Sequence, residues 1–71
     1  MRPLPFREVK RRLERAGFSE VNQTGSHVKF AKTTSEGTHT ATVSKHREVA
    51  AGTLRSILRQ AGVSESEFET L

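Results

Sequence analysis

Two amphipathic segments, each ended by a glycine, flank a stretch of β-forming residues, and this arrangement limits the folds open to the chain. The first apolar stripe ends at Gly17 and the second at Gly62. Apolar residues at a 3.6-residue period predict a helix with one buried face, and a following glycine favours a left-handed helix end. The stripes are Phe6, Val9, Leu13 and Ala16 in the first helix and Leu54, Ile57, Leu58 and Ala61 in the second. Each helix therefore needs an apolar surface to cover.

Helix boundaries follow from prolines and capping residues. The first helix is predicted over about residues 6–16, directly after two prolines. The second helix is predicted over about residues 52–61, with Thr53 as its N-cap. Ser64 and Glu67 have the spacing of a capping box, which predicts a short third helix.

Residues between the two long helices alternate between apolar and polar types, which is typical of strands in a half-buried sheet. Three strands are predicted, over residues 18–23, 27–32 and 38–43. In the second strand Val28 and Phe30 share one face, while His27 and Lys29 share the other. A three-stranded antiparallel sheet with one apolar face would supply the surface that both helices need. The other face would stay open to water.

The first and third strands have less regular patterns. Phe18 and Val21 are the expected buried residues of the first strand, and residues 22–25 are its expected hairpin connection. In the third strand His39 shares the face of Val43, which places it at the margin of the core. The predicted fold class is α+β, in the order α-β-β-β-α, with both helices on one face of the sheet and a short C-terminal helix.

Length and composition restrict the class of protein. A chain of 71 residues fits one domain over residues 1–71. The absence of Cys excludes disulfides and thiolate metal sites, and no apolar run approaches the roughly 20 residues of a membrane span. The first residues lack the apolar stretch of a secretory signal. We therefore expect a cytoplasmic protein with no membrane partner.

Basic residues dominate all but the last few positions. Residues 1–64 hold all twelve Lys and Arg but only five of the eight acidic residues, a net charge of +7. A body this basic attracts nucleic acid, because phosphate neutralisation dominates such affinities. A solvated basic surface without such a partner has the same composition, so the charge alone leaves both interpretations open.

The residue best suited to acid/base chemistry is a histidine that follows a Gly-Ser pair. Imidazole is the side chain that changes charge near neutral pH without being perturbed. An RNase that uses the ribose 2′-hydroxyl as nucleophile needs such an acid/base group, with positive charge or amide donors around the phosphate. His27 is the candidate acid/base group. The candidates for RNA contact are Gly25, Ser26, Lys29, Lys32 and Lys45.

This spacing leaves catalysis open, because an exposed histidine beside a lysine is also common on inert surfaces. The second acid/base group is equally open among Lys29, Lys32, His39 and His46. No two histidines have the i, i+4 spacing of helical ligands and the chain has no Asp, so we predict no metal site. The lack of Asp also excludes a Ser-His-Asp triad, and no P-loop motif is present.

Four segments, taken together, match a known pattern in order and spacing. They are Ala16-Gly17-Phe18, Gly25-Ser26-His27-Val28-Lys29-Phe30, Thr42-Val43-Ser44-Lys45-His46 and the stretch from Gly52 to Ser64. With these segments the chain resembles, over nearly its whole length, the HicA family of toxins from bacterial and archaeal toxin–antitoxin pairs. One position departs from the family pattern. Relatives often have Val-Pro-x-His, whereas Ser44 stands at the proline position, which would loosen the link before His46.

The resemblance implies a double-stranded-RNA-binding-like fold and an endoribonuclease that cleaves mRNA and arrests translation without a cofactor. The family's catalytic histidine corresponds to His27, as a general acid/base. The implied partner is HicB, an antitoxin that binds the toxin and covers the His27 site. We expect the free toxin to be monomeric and its complex with the antitoxin to be larger.

Two other functions stay open. A non-catalytic RNA-binding module could use the same basic face, because double-stranded RNA is recognised largely by shape and backbone. An interaction protein could use that face to dock an acidic partner. Cleavage of RNA by the purified protein separates both from the nuclease.

Overall fold

The computed structural model describes all 71 residues and confirms the predicted α-β-β-β-α order. Its elements are α1 (Phe6–Arg15), β1 (Ser19–Thr24), β2 (His27–Thr34), β3 (Gly37–Ser44), α2 (Ala51–Ala61) and α3 (Glu65–Glu69). The three strands form one antiparallel sheet in the order β1-β2-β3. Strands β2 and β3 are each two residues longer than predicted.

A single apolar core lies between the sheet and the helices, and every one of its 15 buried residues is hydrophobic. The sheet contributes alternate residues of β2 and β3, as the strand pattern predicts. The α2 stripe is buried throughout, and α1 buries its central residues while Phe6 and Ala16 are partly buried. The core residues from the sheet are Val28, Phe30, Ala41 and Val43. The opposite face of the sheet is therefore left without a covering helix.

Both long helices end at the predicted glycines. Gly17 has a φ of 100° and donates its N–H to the Glu14 carbonyl at 3.0 Å. The next N–H, from Phe18, donates to the Leu13 carbonyl at 2.9 Å, which completes a Schellman motif. Gly62 has a φ of 73° and ends α2 in the left-handed conformation. These ends turn the chain from each helix back toward the core.

The helix starts differ from the prediction at α2. Its N-cap is Ala50 rather than Thr53, and no side chain caps it or the Pro5 start of α1. The prediction of Thr53 was wrong because the buried apolar stripe stabilises the helix from its first turn without a capping side chain. At α3 the predicted cap is present, since the Glu67 N–H donates to Ser64 Oγ at 3.1 Å.

The β1–β2 hairpin closes later than expected. Its loop is the two-residue turn 25–26, so the prediction of residues 22–25 was wrong and β1 continues through Thr24. Phe18 is buried as predicted, although it precedes β1. Val21 is the additional residue of a β-bulge and is 55% exposed, so its predicted burial was wrong. A bulge on an edge strand re-aims its side chains and interrupts regular pairing.

The segment before α1 is attached to the link between β3 and α2. Leu4 donates its N–H to the Val49 carbonyl at 3.1 Å and accepts the Val49 N–H at 2.6 Å. Both side chains are buried. The pair thus fixes the far end of the link that follows β3. None of the helices has the length and hydropathy that crossing a membrane requires.

Candidate functional site

His27 stands on the open face of the sheet, at its end nearest the β1–β2 turn. It is the first residue of β2 and lies directly opposite Thr24 of β1 and Ser44 of β3. Its side chain is exposed, while its neighbour Val28 is fully buried. Strand alternation therefore places His27 as the sequence predicted, with its imidazole available to a molecule from solvent.

Lys29 lies two residues further along the same face. Its cross-strand partners are Asn22 and Thr42. Successive residues on one face of a strand are about 7 Å apart, which is within the span of neighbouring groups on a phosphodiester backbone. The residues of this face are polar or small, and none of its strand residues carries a carboxylate. The open face is thus suited to an anion.

The β1–β2 turn before His27 has only two residues, and both are exposed to solvent. Gly25 has a φ of 59° and Ser26 a negative φ, the pattern of a type II′ hairpin turn. Apart from the two adjacent residues, no atom lies within 4 Å of the place where a side chain on Gly25 would begin. A bound molecule can therefore approach the backbone closely at this turn.

Lys45 follows Ser44 and is joined to the β1–β2 turn through its backbone. Its N–H donates to the Ser26 carbonyl at 2.7 Å, which ties the end of β3 to the turn. Its ammonium lies 5.9 Å from the centroid of the Phe6 ring. The side chain is exposed. The Lys45 backbone therefore lies at the turn with Gly25, Ser26 and His27, while its ammonium is directed toward α1 on the helix-covered side.

Lys32 lies apart from the other predicted RNA contacts. It shares the helix-covered face with Phe30, two residues before it, and its ammonium donates to the Ala16 carbonyl at 2.7 Å. The same ammonium is 5.9 Å from the centroid of the Phe18 ring. Lys32 thus satisfies a carbonyl that the C-terminus of α1 leaves without a helical partner. The structure gives it a role in the fold rather than a place beside His27.

His39 lies directly opposite Lys32, on the same helix-covered face. Its side chain is partly buried, and its Nδ1 would lie 3.2 Å from a Cβ added to Gly62. Each of these two cross-strand neighbours therefore contacts the C-terminal end of one long helix. The predicted position of His39 at the margin of the core agrees with this placement.

The strongest charge pairing lies outside the site, on α1. Glu8 accepts hydrogen bonds from Arg11 and from Arg12, the latter at 2.9 Å. The hydrogen bond from Arg11, with that from Arg12, lowers the pKa of Glu8 to about 2. Arg12 also lies over the Phe68 ring, 5.1 Å from its centroid, and so attaches α3 to α1.

Two site neighbours follow from the strand register rather than from any motif. Ser44 and Thr42 face the same side as His27 and Lys29 because β2 and β3 pair without a shift. A two-residue turn between β1 and β2 fixes the partners on β1 in the same way. His46 follows two residues after Ser44 and is exposed. Side chains that bind metals do not gather in groups of three or more anywhere in the chain.

A family model described as "HicA toxin of bacterial toxin-antitoxin" matches residues 6–63, from the start of α1 to the residue after the Gly62 helix end. The match includes the β1–β2 turn, His27, Lys29 and the link after β3. No curated protein sequence matches the chain.

Proposed function

The chain belongs to the HicA family of bacterial toxin–antitoxin toxins, and from that premise we propose that it is a metal-independent endoribonuclease that cleaves mRNA and so arrests translation. The family makes the chain a toxin and implies an antitoxin partner. The nuclease activity and the residues that perform it are our proposal. The observation that carries it is the exposed imidazole of His27 on a face that has lysine but no carboxylate.

In the proposed reaction the ribose 2′-hydroxyl attacks the adjacent phosphorus, and the bond to the 5′-oxygen breaks. His27 transfers a proton as general acid/base, either from the attacking oxygen or to the departing one. A positioned proton-transfer group of this kind accelerates a reaction about 10²- to 10⁴-fold. Imidazole suits the task because it exchanges protons near neutral pH.

The groups around His27 would hold the phosphate and stabilise its developing charge. Lys29 supplies an ammonium on the same strand face. Lys45 is a second proposed phosphate contact, and its exposed side chain would have to turn from the Phe6 ring around the end of the sheet to reach the phosphate. Amides of the turn at Gly25 and Ser26 can approach phosphate oxygens, because no side chain covers Gly25. We leave Lys32 out of the RNA-contacting set, because its ammonium is bonded to the end of α1.

We further propose that the antitoxin is a HicB-like protein that covers the His27 face. The same absence of carboxylates that suits RNA also suits an acidic partner on this face. Covering the face would exclude RNA from His27 directly. We expect the free toxin to be monomeric and to form a larger assembly with the antitoxin, which light scattering of the two samples would measure.

The test is cleavage of a defined mRNA by the purified protein, with and without EDTA. We expect cleavage in both conditions, and we expect the His27→Ala variant to lose about 10²-fold or more in rate and to lose growth arrest. His27 is exposed, so the variant should keep the wild-type circular dichroism spectrum, and the rest of the covered face should still bind the antitoxin. A matched control is His39→Gln, which changes a histidine on the opposite face.

Three results would contradict the proposal. Intact RNA that is bound in a salt-sensitive manner would indicate a non-catalytic RNA-binding module. Loss of cleavage with EDTA would contradict a metal-independent reaction. Full activity of the His27→Ala variant would contradict the assignment of His27.

A further inference from the structure

His46 is exposed, lies in the link directly after β3, and has no role in the reaction described above. It follows β3 by two residues, and β3 ends at Ser44, the residue directly opposite His27. A hydrolase of this kind needs two proton transfers, one at the attacking oxygen and one at the leaving oxygen. His27 alone supplies one of them at a time. The following inference rests on the proposed nuclease function and extends it.

The fold argues against two of the four candidates for the second proton-transfer group. Lys32 is bonded to the Ala16 carbonyl, and His39 lies against the end of α2, both on the face that the helices cover. Both are also distant along the sheet. Lys32 is five residues from His27 on β2, which corresponds to about 17 Å at 3.3 Å per residue.

Of the remaining two, Lys29 and His46, only His46 carries a group suited to exchanging a proton near neutral pH. An exposed ammonium stays charged at neutral pH, which suits it to binding a phosphate rather than to releasing a proton. An imidazole can both accept and donate near that pH. Lys29 on the strand face is therefore assigned to the phosphate, and His46 to the proton.

The link holds His46 at a defined place. The His46 N–H donates to the Ser44 carbonyl at 2.7 Å, which closes a tight turn directly after β3. One residue earlier, the Lys45 N–H donates to the Ser26 carbonyl at 2.7 Å. The far end of the link is fixed by the two bonds between Val49 and Leu4. Both ends of a five-residue segment are thus attached to the fold.

Chain geometry limits the distance between the Cα atoms of His27 and His46. Residues directly opposite in an antiparallel pair have Cα atoms about 4.5–5.5 Å apart, which applies to His27 and Ser44. Two further residues span at most about 7 Å. The Cα atoms of His27 and His46 are therefore within roughly 12 Å of each other by these limits. A Cα separation within this limit is compatible with both exposed imidazoles contacting one phosphodiester.

We propose that His46 is the second proton-transfer residue of the reaction and works as a pair with His27. One imidazole takes the proton of the 2′-hydroxyl as that oxygen forms its bond to phosphorus. The other imidazole, starting protonated, gives its proton to the 5′-oxygen as the bond from phosphorus to that oxygen breaks. The products are a 2′,3′-cyclic phosphate and a free 5′-hydroxyl. Exchange with water restores both imidazoles, so the cycle needs no further reactant.

The test compares two RNA substrates that differ only in the leaving group. One is an ordinary oligoribonucleotide, and the other has sulfur in place of the 5′-oxygen at the cleaved bond, so that its thiolate leaves without a proton. Single-turnover rates are measured for the wild type, His27→Gln, His46→Gln and the control His39→Gln. Circular dichroism and urea unfolding of each variant report whether the fold is intact.

On the ordinary substrate we expect His27→Gln and His46→Gln each to lose about 10²- to 10⁴-fold in rate, and His39→Gln to keep the wild-type rate. On the sulfur substrate we expect only one of the two slow variants to recover, namely the one that has lost the general acid. A folded His46→Gln protein with the wild-type rate would overturn the assignment while leaving the nuclease proposal intact. Recovery of both variants, or of neither, would also overturn it. A wild type that cleaves neither RNA would instead overturn the nuclease proposal itself.

Discussion

Replacing Lys32 with methionine should destabilise the fold without weakening RNA binding, although Lys32 is one of the lysines that the sequence offered as RNA contacts. Its ammonium donates to the Ala16 carbonyl at 2.7 Å in a partly buried setting. A hydrogen bond with a charged group contributes about 1.5–3 kcal/mol, and a cation at a helix C-terminus adds about 0.3–1 kcal/mol. Partial exposure reduces both, so we expect a loss of about 1.5 kcal/mol in the free energy of unfolding.

Methionine keeps most of the apolar stem that packs on Gly17, so the loss should come from the ammonium. For a domain of this size about 1 kcal/mol corresponds to about 4–8 °C, which gives a decrease of about 6–12 °C in Tm. Urea unfolding followed by circular dichroism measures the free energy. The matched control is Lys29→Met, which removes an exposed ammonium and should change stability by less than about 0.5 kcal/mol.

RNA binding should show the reverse pattern. Affinity for single-stranded RNA is measured as a function of salt in a His27→Ala background, in which the proposed reaction predicts no cleavage. Each lost phosphate contact lowers the slope of log K against log salt by about 0.7 for a single strand, so Lys29→Met should lower it and Lys32→Met should not. If Lys32→Met weakened RNA binding and left the unfolding free energy unchanged, the structural role assigned to Lys32 would be refuted.

Three other substitutions test separate parts of the fold. Hydrogen bonds from Arg11 and Arg12 lower the pKa of Glu8 from its ordinary 4.5 to about 2. The ionised Glu8 with its two arginine partners therefore stabilises the fold above pH 4.5. The difference in urea midpoint between wild type and Glu8→Gln should therefore disappear as the pH falls from 4.5 to 2, and a constant difference would contradict the pairing. Phe68→Ala removes a fully buried ring and should cost about 3–5 kcal/mol in urea unfolding, and an unchanged free energy of unfolding would contradict a contribution of α3 to the core. Gly17→Ala forces a side chain to a φ of 100° with its Cβ 3.2 Å from the Lys32 Cε, and should cost about 1–3 kcal/mol by the same measurement.

The parts of the fold that were predictable from the sequence depend on short-range patterns. The helix ends at Gly17 and Gly62 followed from one glycine after each apolar stripe, because the left-handed conformation there is a local requirement. The exposed position of His27 followed from alternation within β2, which is equally local. In both cases the residues that decide the structure are close together in the chain.

Features formed by distant segments were not predictable in this way. The backbone pair between Leu4 and Val49 joins two irregular segments, and no side-chain pattern indicates it. The bond from Lys32 to the end of α1 depends on how that helix crosses the sheet. The bulge at Val21 shifts the register of an edge strand, and hydrophobicity alone predicted burial there. The candidate site was predictable for His27 and Lys29, but the lysine that lies apart from them needed the tertiary structure.

The pair between Leu4 and Val49 has a consequence for local opening of the protein. Its two hydrogen bonds join residues 45 positions apart, but the sheet and helices already bring those segments together, so little loop-closure entropy remains to oppose it. When the pair opens, the link that contains His46 loses its two backbone hydrogen bonds between the end of β3 and the start of α2. Hydrogen exchange at the Val49 amide would report this opening, because its partner is the Leu4 carbonyl. The first five residues make no hydrogen bond to the open face of the sheet or to the β1–β2 turn. Through the pair between Leu4 and Val49 they would nevertheless determine how long the link keeps its ordered conformation.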